Sequence, residues 1–411
     1  MGALAPCRWR GAGMRATLNS TCWAGCVCAI QPSTRSTVAE SAIKDNVNIS
    51  NDLEGMTLAL EWAAKGLYTT SPNPHIGCVI VRDGQVIAAG VTQQAGGDHA
   101  EIQALKDAQA RGHDVRGATA YVTLEPCNHF GRTPPCSDAL VRAGLGRVVA
   151  AMEDPNPLVA GQGLAKLRAA GIETSTGLLA EQAYELNIGF FSRMTRGLPW
   201  VRMKSAASLD GMTALHNGVS QWITGPEARA DGHAWRARAC AILTGIGTVK
   251  ADDPQLTVRA VDTPRQPRRI VIDSKLDISL SAKILQGGGT WIVAAVANPE
   301  KEAALSAAGA DVIMLPNAAG KVDLPELMRE LGRRQVNELH VEAGGKLNGS
   351  LIREGCVDEL LLYLAPSLIG DAQGMFALPA LTDLSLQQRL KFHEVKQIGE
   401  DLRILARFTH L

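Results

Sequence analysis

One histidine, one glutamate and two cysteines stand out in this sequence, because side chains of these types at these spacings can do chemistry together. His99 and Glu101 stand two positions apart at the start of a helical pattern, and Cys127 and Cys136 follow in LEPCNHFGRTPPC. One imidazole and two thiolates leave one position of a tetrahedral zinc ion open, as in catalytic zinc sites. Such a zinc ion lowers the pKa of a bound water towards 7. We therefore predict a catalytic zinc held by these three ligands.

Glu101 is the candidate acid and base of this site. It does not fit as a fourth ligand, but it would lie beside the bound water, where it can carry protons to a leaving ammonia. His-x-Glu followed by Pro-Cys is the signature of zinc deaminases. Two alternatives stay open: His129 as the ligand in place of His99, and a structural zinc, which would need a fourth Cys or His.

The spacing of the two cysteines departs from that signature. Eight residues separate Cys127 from Cys136, where two are usual. The inserted NHFGRTPP must bulge outward before the chain returns to the metal, which its prolines and Gly131 permit. The turn would then project Asn128, His129 and Arg132 over the site.

A helix-covered sheet is predicted to position these residues. Apolar residues at helical spacing predict a helix over DLEGMTLALEWAAKG, and alternating apolar residues around Asp83-Gly84 predict a β-hairpin. A helix then begins at His99, a strand ends at Cys127, and another helix begins at Cys136. Further strands alternate with helices up to a single helix over AEQAYELNIGFFSRM. This alternation predicts a sheet with helices on both faces.

The loop SPNPHIG, before the first strand, offers two polar side chains. Asn73 is predicted to contact the base or sugar of a substrate, and the alternative is an asparagine that only forms the turn. His75 has no stronger interpretation than a surface-loop residue.

A second α/β alternation begins after GLP at positions 197 to 199. The strand candidates are WVRMKSAASLDG, AILTG, RRIVIDS, TWIVAAV, DVIML, ELHVEAGG, DELLLYLAP and LRILARFTHL. HVEAGGKLNGSLIREG reads as a strand, a glycine-rich turn and a helix start, whose free N–H groups can receive a phosphate. No G-x-G-x-x-G follows a strand, so a simple turn at Gly344 and Gly345 is an equal alternative.

Composition excludes some classes of protein and sets the N-terminal segment apart. The 411 residues carry 41 basic and 41 acidic side chains, which does not suit a nucleic-acid partner. The apolar runs are too short for a membrane span. Residues 1–51 form an extension that we expect to be disordered, and up to Val38 it has arginines and no acid, as in organellar transit peptides. The alternative is a misplaced start codon.

This extension decides the expected location. A transit peptide would direct the protein to a plastid or another organelle, and otherwise we expect a cytoplasmic protein. Cys22, Cys26 and Cys28 lie in the extension without a matching ligand pattern and stay unassigned. We predict two domains after it, at residues 52–196 and 197–411.

Eight ordered motifs resemble the bifunctional deaminase–reductase family of riboflavin biosynthesis. They are HAEIQAL, TLEPCNHFGRTPPC, DPNPLVAGQG, KSAASLDG, SQWITG, VKADDPQLTVR, VIDS and VEAGG. The resemblance implies a cytidine-deaminase-like three-layer domain that hydrolyses the 2-amino group of 2,5-diamino-6-ribosylamino-4(3H)-pyrimidinone 5′-phosphate. A dihydrofolate-reductase-like α/β domain would then reduce the ribosyl group with NADPH, giving 5-amino-6-ribitylamino-uracil 5′-phosphate.

The resemblance also implies residue roles. Zinc would be held by His99, Cys127 and Cys136, with Glu101 as proton shuttle and Arg132 on the substrate phosphate, which suits a forked guanidinium. The implied NADPH contacts are Ala206, Trp222, Thr248, Asp252, Ser274, Gly344, Gly345, Lys346, Leu347, Asn348, Gly349 and Ser350. The implied substrate contacts in the second domain are Ser220, Arg236, Leu256, Arg259 and Glu342. Lys204 and Asp210 are expected to line the same pocket, although Asp210 is equally a turn residue before Gly211.

Other functions remain alternatives at this point. They are a nucleic-acid editing deaminase, an enzyme with one inactive domain, and a non-catalytic zinc scaffold. Neutral charge and the absence of clustered basic residues oppose the first, and the complete ligand set with Glu101 opposes the last. We expect a homo-oligomer that acts on a small molecule, without nucleic-acid or membrane partners.

Overall fold

The computed structural model describes residues 47–129, 134–156 and 159–409. Its helices are α1 (Asp52–Lys65), α2 (Ala100–Ala110), α3 (Cys136–Ala143), α4 (Gln162–Ala169), α5 (Ala180–Leu186), α6 (Ile188–Arg196), α7 (Pro226–Arg238), α8 (Ile246–Asp252), α9 (Pro299–Ala307), α10 (Leu324–Arg333) and α11 (Gly345–Arg353). Short 3-10 turns occupy Lys283–Leu285 and Leu384–Leu386. Within the described ranges, none of the helices has both the length and the apolar character needed to cross a bilayer.

The strands form two large sheets and one small ribbon. They are β1 (Gly77–Arg82), β2 (Gln85–Val91), β3 (Thr119–Val122), β4 (Arg147–Ala150), β5 (Glu173–Thr176), β6 (Trp200–Ser208), β7 (Met212–Ala214), β8 (Ala241–Gly245), β9 (Arg268–Ile272), β10 (Thr290–Ala294), β11 (Ala310–Met314), β12 (Glu338–Val341), β13 (Glu359–Ala365), β14 (Gln373–Gly374), β15 (Leu390–Ile398) and β16 (Asp401–Phe408). Strands β7 and β14 make the ribbon.

The first sheet has five strands in the order β2-β1-β3-β4-β5. β1 is antiparallel to β2 and β3, whereas β3, β4 and β5 run parallel. Asp83 and Gly84 both have positive φ, of 51° and 76°, which is the turn that a two-residue hairpin needs. One apolar cluster joins α1 and α5 to one face, and another joins α2, α3 and α4 to the other face. The predicted three-layer arrangement is confirmed.

Two glycines allow the helices to approach this sheet closely. A Cβ atom at Gly77 would lie 2.0 Å from the carbonyl oxygen of Ala59 in α1. One at Gly90 would lie 2.3 Å from the carbonyl oxygen of Ala100, in the first turn of α2. That turn follows His99 and contains Glu101, so any side chain at Gly90 would displace the segment that carries the predicted chemistry.

The second sheet has nine strands in the order β11-β10-β9-β8-β12-β6-β13-β16-β15. The strands from β11 to β13 run parallel, and β16 and β15 are added antiparallel at one edge. All eight strand candidates of this half are present. The sequence did not predict β15, whose side chains are mostly exposed, so no buried apolar pattern marks it.

Helices α5 and α6 replace the single helix predicted around AEQAYELNIGFFSRM. The break falls at Asn187, whose side-chain oxygen accepts from the backbone N–H of His75 (2.6 Å) and whose amide donates to the His75 carbonyl (3.1 Å). His75 itself is only 5% exposed, and its Nδ1 lies 2.5 Å from the Thr70 hydroxyl. The expectation of a surface residue was therefore wrong for His75. Burial lowers its pKa to about 4, so its ring is neutral.

A buried ionic network joins α5 to the second sheet. Arg202 on β6 donates to Glu338 (2.8 Å) and Glu359 (2.5 Å), and all three side chains are almost fully buried. Arg407 donates to Glu359 and, through both terminal nitrogens, to Glu185 at the end of α5. Because each buried charge has an opposite partner, the network avoids the large penalty of an unpaired ion.

Candidate active sites

Three element ends bring the predicted metal ligands together. His99 is the residue before α2, Cys136 is the first residue of α3, and Cys127 lies in the segment after β3. The Nδ1 atom of His99 is 3.3 Å from the Cys136 sulfur and 3.6 Å from the Cys127 sulfur. All three ligand atoms lie within 4.8 Å of one another. The chain thus returns to the site after the insertion.

These distances fit a zinc ion. In a tetrahedral site with Zn–N near 2.0–2.1 Å and Zn–S near 2.3 Å, a nitrogen and a sulfur ligand are about 3.6 Å apart. The measured separations from His99 are 3.3 and 3.6 Å. A set of one nitrogen and two sulfurs is also the donor chemistry that zinc prefers.

The surroundings of Cys127 stabilise its thiolate form. Cys136 donates its backbone N–H to the Cys127 sulfur at 3.3 Å. A thiol hydrogen bond between the two lowers the pKa of Cys127 and raises that of Cys136. Cys136 also begins α3, where the helix dipole favours negative charge.

Glu101 is buried next to the ligands. It is 4% exposed, and burial, followed by the nearby Cys127 charge, raises its pKa to about 7. A carboxyl with a pKa in this range can both accept and release a proton at neutral pH. The Cys136 side chain lies within hydrogen-bonding reach of it.

A cavity of about 240 Å³ opens onto the ligand set. Asn73 lines it, beside Pro72, and His129 of the insertion lines it as well. Sequence reasoning missed three further lining residues, Phe190, Arg193 and Gln335. No local motif marks them, since they come from α6 and the loop before β12. Arg132 lies outside the described residues, as do Cys22, Cys26 and Cys28.

Glu125 is a second residue that sequence reasoning missed, although it stands in the quoted motif. Its buried carboxylate accepts four backbone hydrogen bonds, from Asp154 (3.1 Å), Gly161 (2.9 Å), Gly163 (2.8 Å) and Leu164 (3.2 Å). A Cβ at Gly163 would lie 1.9 Å from the Pro126 carbonyl oxygen. Glu125 therefore fixes the backbone just before Cys127 against the start of α4.

A charged cluster in the second half contains several of the expected substrate contacts. Arg236 on α7 donates to both carboxylate oxygens of Glu342, at 2.5 and 2.8 Å. Burial lowers the pKa of Lys204. The Glu342 charge raises this pKa and the Arg236 charge lowers it, so Lys204 lies near both side chains. Arg259 is exposed and donates from its side chain to the Thr257 hydroxyl at 3.2 Å. Leu256, by contrast, is buried in a core cluster.

The glycine-rich turn begins α11, as expected, but close packing accounts for two of its glycines. A Cβ at Gly345 would lie 2.8 Å from the Gly374 carbonyl oxygen, and one at Gly349 would lie 2.2 Å from that of Ala377. The buried Asn348 amide donates to the carbonyls of Ala343 and Met375. The exposed residues of the turn are Gly344 and Lys346, with Leu347 and Ser350 partly exposed.

The remaining expected cofactor contacts are spread over several elements. Thr248 is near Gly344, since its hydroxyl would be 3.9 Å from a Cβ there. Ala206 pairs with Tyr363 across β6 and β13, and the Ser274 hydroxyl accepts from the Val322 N–H at 3.4 Å. Asp252 ends α8 and is exposed.

Three other expected contacts lie near the β7 region. Trp222 is 70% exposed, with the Arg229 guanidinium 4.5 Å from its ring centroid. The Asp210 carboxylate accepts from the backbone N–H groups of Ile369 and Gly370, so it holds that loop. Ser220 is half-buried.

Comparisons with known proteins match both halves of the chain. The family model described as the cytidine and deoxycytidylate deaminase zinc-binding region matches residues 49–152, and that of the RibD C-terminal domain matches residues 199–404. The riboflavin biosynthesis protein RibD of Escherichia coli is 47% identical over 361 residues, covering 84% of this chain and 96% of the relative.

Solved structures agree over the same length. A RibD structure from Acinetobacter baumannii has 41% identity and a TM-score of 0.79, covering 87% of this chain and 99% of that one. A diaminohydroxyphosphoribosylaminopyrimidine deaminase/5-amino-6-(5-phosphoribosylamino)uracil reductase from Thermotoga maritima has 32% identity and a TM-score of 0.77, covering 87% and 98%. The expected fold, a deaminase-type domain followed by a reductase-type domain, is confirmed.

Glu125→Gln should weaken zinc binding, although Glu125 is not a ligand. The amide loses one acceptor oxygen and turns an N–H₂ group towards backbone donors, so the segment before Cys127 loosens. Outer residues that orient a ligand typically change metal affinity about 10–100-fold, and we expect a loss in this range. Competitive titration with a chromophoric chelator measures it. The exposed Glu153 provides the control, Glu153→Gln, and equal zinc affinities of the two variants would refute this role.

Proposed function

The chain belongs to the RibD family of bifunctional riboflavin biosynthesis proteins, and on that premise we propose which of its residues perform the two reactions. The family makes it an enzyme with a zinc-binding deaminase domain and a reductase domain that uses NADPH. We propose the substrates named for the Thermotoga maritima relative: a diaminopyrimidine ribosylamine phosphate is deaminated, and the resulting phosphoribosylaminouracil is reduced. The observation that carries the deaminase assignment is the convergence of one imidazole and two sulfurs beside a buried carboxyl.

In the deaminase half, His99, Cys127 and Cys136 hold the zinc ion. When bound, zinc supplies the Lewis acid that makes water nucleophilic at neutral pH. Glu101 accepts a proton from the attacking water and delivers it to the leaving amino group, a double role that suits its pKa of about 7. Asn73, on the cavity wall, binds the polar edge of the substrate, and Arg132 binds its phosphate.

In the reductase half, the substrate lies against a cluster of charged side chains. These residues are Lys204, Arg236, Arg259 and Glu342, with Asp210 and Ser220 at the rim and Leu256 supporting the wall from the core. Since Arg236 is neutralised by Glu342 at 2.5 Å, Lys204 and Arg259 leave the cluster with excess positive charge for a phosphate.

NADPH binds across the start of α11. We propose that the N–H groups of Gly345 and Lys346, in the first turn of α11, receive a cofactor phosphate at the positive end of the helix dipole, because those of Leu347 and Asn348 already donate to the Gly344 carbonyl. The other residues from Gly344 to Ser350 surround this contact. The other proposed cofactor contacts are Ala206, Trp222, Thr248, Asp252 and Ser274. Hydride transfer depends on the relative position of nicotinamide and ribosyl group, because the cofactor supplies the reactive atom.

The two sheets support the proposed domain limits. We propose residues 52–196 as the deaminase domain and 197–411 as the reductase domain, which the matched ranges of 49–152 and 199–404 support. Pairing with β2 begins earlier, since the Val47 carbonyl accepts from the Val86 N–H at 2.9 Å. A transit peptide in residues 1–51 stays a prediction from composition. The relatives are bacterial proteins, which favours the cytoplasmic alternative over a plastid.

The homo-oligomer would form on an exposed apolar face of β15. A bulge between Phe392 and Glu394 keeps Leu390, Phe392 and Val395 on one face of the sheet, with exposures of 38%, 68% and 54%. Leu384 and Leu386, in the segment before β15, are also exposed, at 79% and 62%. A contiguous apolar patch marks an interaction site, and a second copy of this chain offers an identical patch about a twofold axis.

Glu101→Gln should abolish ammonia release while sparing reduction. The amide cannot carry a proton, and loss of a general acid–base group costs about 10²–10⁴ in rate. The rate of ammonia release from the diaminopyrimidine phosphate measures the loss. Metal analysis confirms that the variant retains zinc. Glu181→Gln, on the exposed first turn of α5, should behave as wild type. Ammonia release by Glu101→Gln at the wild-type rate would show that another group moves the proton.

Removal of zinc should separate the two activities. A strong chelator is expected to stop ammonia release, whereas NADPH oxidation with previously deaminated substrate continues, because the reductase cluster lies in the other sheet. Added zinc should restore deamination. If the protein still releases ammonia after chelation, deamination does not require the metal. If NADPH oxidation also stops, the reductase half does not work independently of the zinc site.

Phe392→Asp should dissociate the oligomer. A carboxylate in the centre of the apolar face would have to be buried without a partner, which is strongly unfavourable. Light scattering coupled to size exclusion should give a lower mass than for wild type. Leu53→Asp, at a 51% exposed apolar position on α1, is the matched control. An unchanged mass for Phe392→Asp would place the interface elsewhere.

A further inference from the structure

Arg193 on α6 lines the same cavity as His99, Cys127 and Asn73. Its Nε donates to the side-chain oxygen of Asn337 at 2.6 Å. Asn337 is held in turn, since its amide donates to the Pro72 carbonyl at 2.9 Å. The terminal Nη2 of Arg193 donates to the same Pro72 carbonyl at 3.5 Å. The guanidinium is therefore fixed at the cavity wall, and its Nη1 has no partner among the hydrogen bonds of the described residues.

This cation has no carboxylate partner among the ion pairs of the described residues. Arg196, one turn later on α6, differs in this respect, because it pairs with Asp358 at 2.8 Å. Burial lowers the pKa of Arg193, although a guanidinium remains protonated in proteins. A partly buried charge without a counterion is costly, so the position is favourable only where an anion can approach.

The other residues that line the cavity also suit an anion. Among the described residues, its lining contains Asn73, His129 and Gln335 but no aspartate or glutamate. The Phe190 ring, 5.8 Å from the guanidinium, closes the apolar side. The planar fork of an arginine suits a phosphate with two parallel hydrogen bonds.

We propose that Arg193 binds the phosphate of the substrate in the deaminase cavity, with Asn337 as its positioning residue. This deepens the proposed function and depends on it for the identity of the substrate. Because Asn337 and Gln335 lie next to β12 of the second sheet, the reductase half supplies part of the deaminase wall.

The test compares deamination of the phosphorylated substrate with that of the corresponding riboside, which lacks the phosphate. Arg193→Gln should raise KM for the phosphorylated substrate about 10–100-fold, the value of one or two charge-assisted hydrogen bonds. Its kcat, and its KM for the riboside, should stay near wild type. Arg193→Lys should recover part of the loss, and Asn337→Leu should show a smaller loss of the same kind.

Arg142→Gln, on the exposed side of α3, is the matched control and should not change either KM. If Arg193→Gln raises KM equally for the phosphorylated substrate and the riboside, Arg193 has a structural role. If KM for the phosphorylated substrate is unchanged, Arg193 does not contact the phosphate. Either result overturns the proposal.

A binding readout separates this proposal from the deaminase assignment. Ribose 5-phosphate, titrated calorimetrically into the whole protein, should occupy two sites in wild type and one in Arg193→Gln. Loss of one site in a protein that releases no ammonia would support the role of Arg193 and reject the deaminase function. Two sites in both proteins would reject the role of Arg193.

Discussion

The convergence of two helix N-termini at one end of the first sheet is the constraint on which the deaminase site depends. α2 and α3 direct their positive ends at one point, with His99 just before α2 and Cys136 at the first residue of α3. That arrangement favours a thiolate at Cys127 before any metal contributes. It requires α2 to lie close to β2, which only a glycine at position 90 allows. The ligand set therefore depends on sheet packing as much as on the ligand residues.

The sequence predicted the convergence of His99, Cys127 and Cys136 because the signals for it are local. Helix periodicity, a two-residue turn at Asp83-Gly84 and the order of ligand types are each visible within a short window. Glu125 and His75 were missed or misread for the opposite reason. Glu125 binds backbone groups 29 to 39 residues away, and the partner of His75 is Asn187, 112 residues away. No pattern within one element encodes such contacts.

In the reductase half, the same residue types have two explanations that the sequence alone does not separate. Gly345 and Gly349 suit a phosphate-binding turn, yet the backbone of residues 374–377 passes so close that neither could carry a side chain. Both demands can act on one glycine, since close packing and a phosphate against the backbone both exclude a side chain. Asp210 is comparable, because its carboxylate holds the loop at Ile369 and Gly370. A role for Asp210 in substrate binding would have to be shared with this structural one.

Helix α6 packs against both sheets, so the two halves of the chain cannot be considered separately. Phe191 is buried in the core of the first sheet, whereas a Cβ at Gly189 would lie 2.3 Å from the Glu338 side chain of the second. The helix is thus pressed between both, with Arg196 paired to Asp358 on the reductase side. Its remaining cation faces the metal cavity without a carboxylate. A partly buried guanidinium is tolerated where its charge is matched, and on this helix we propose that the substrate phosphate supplies the match for Arg193.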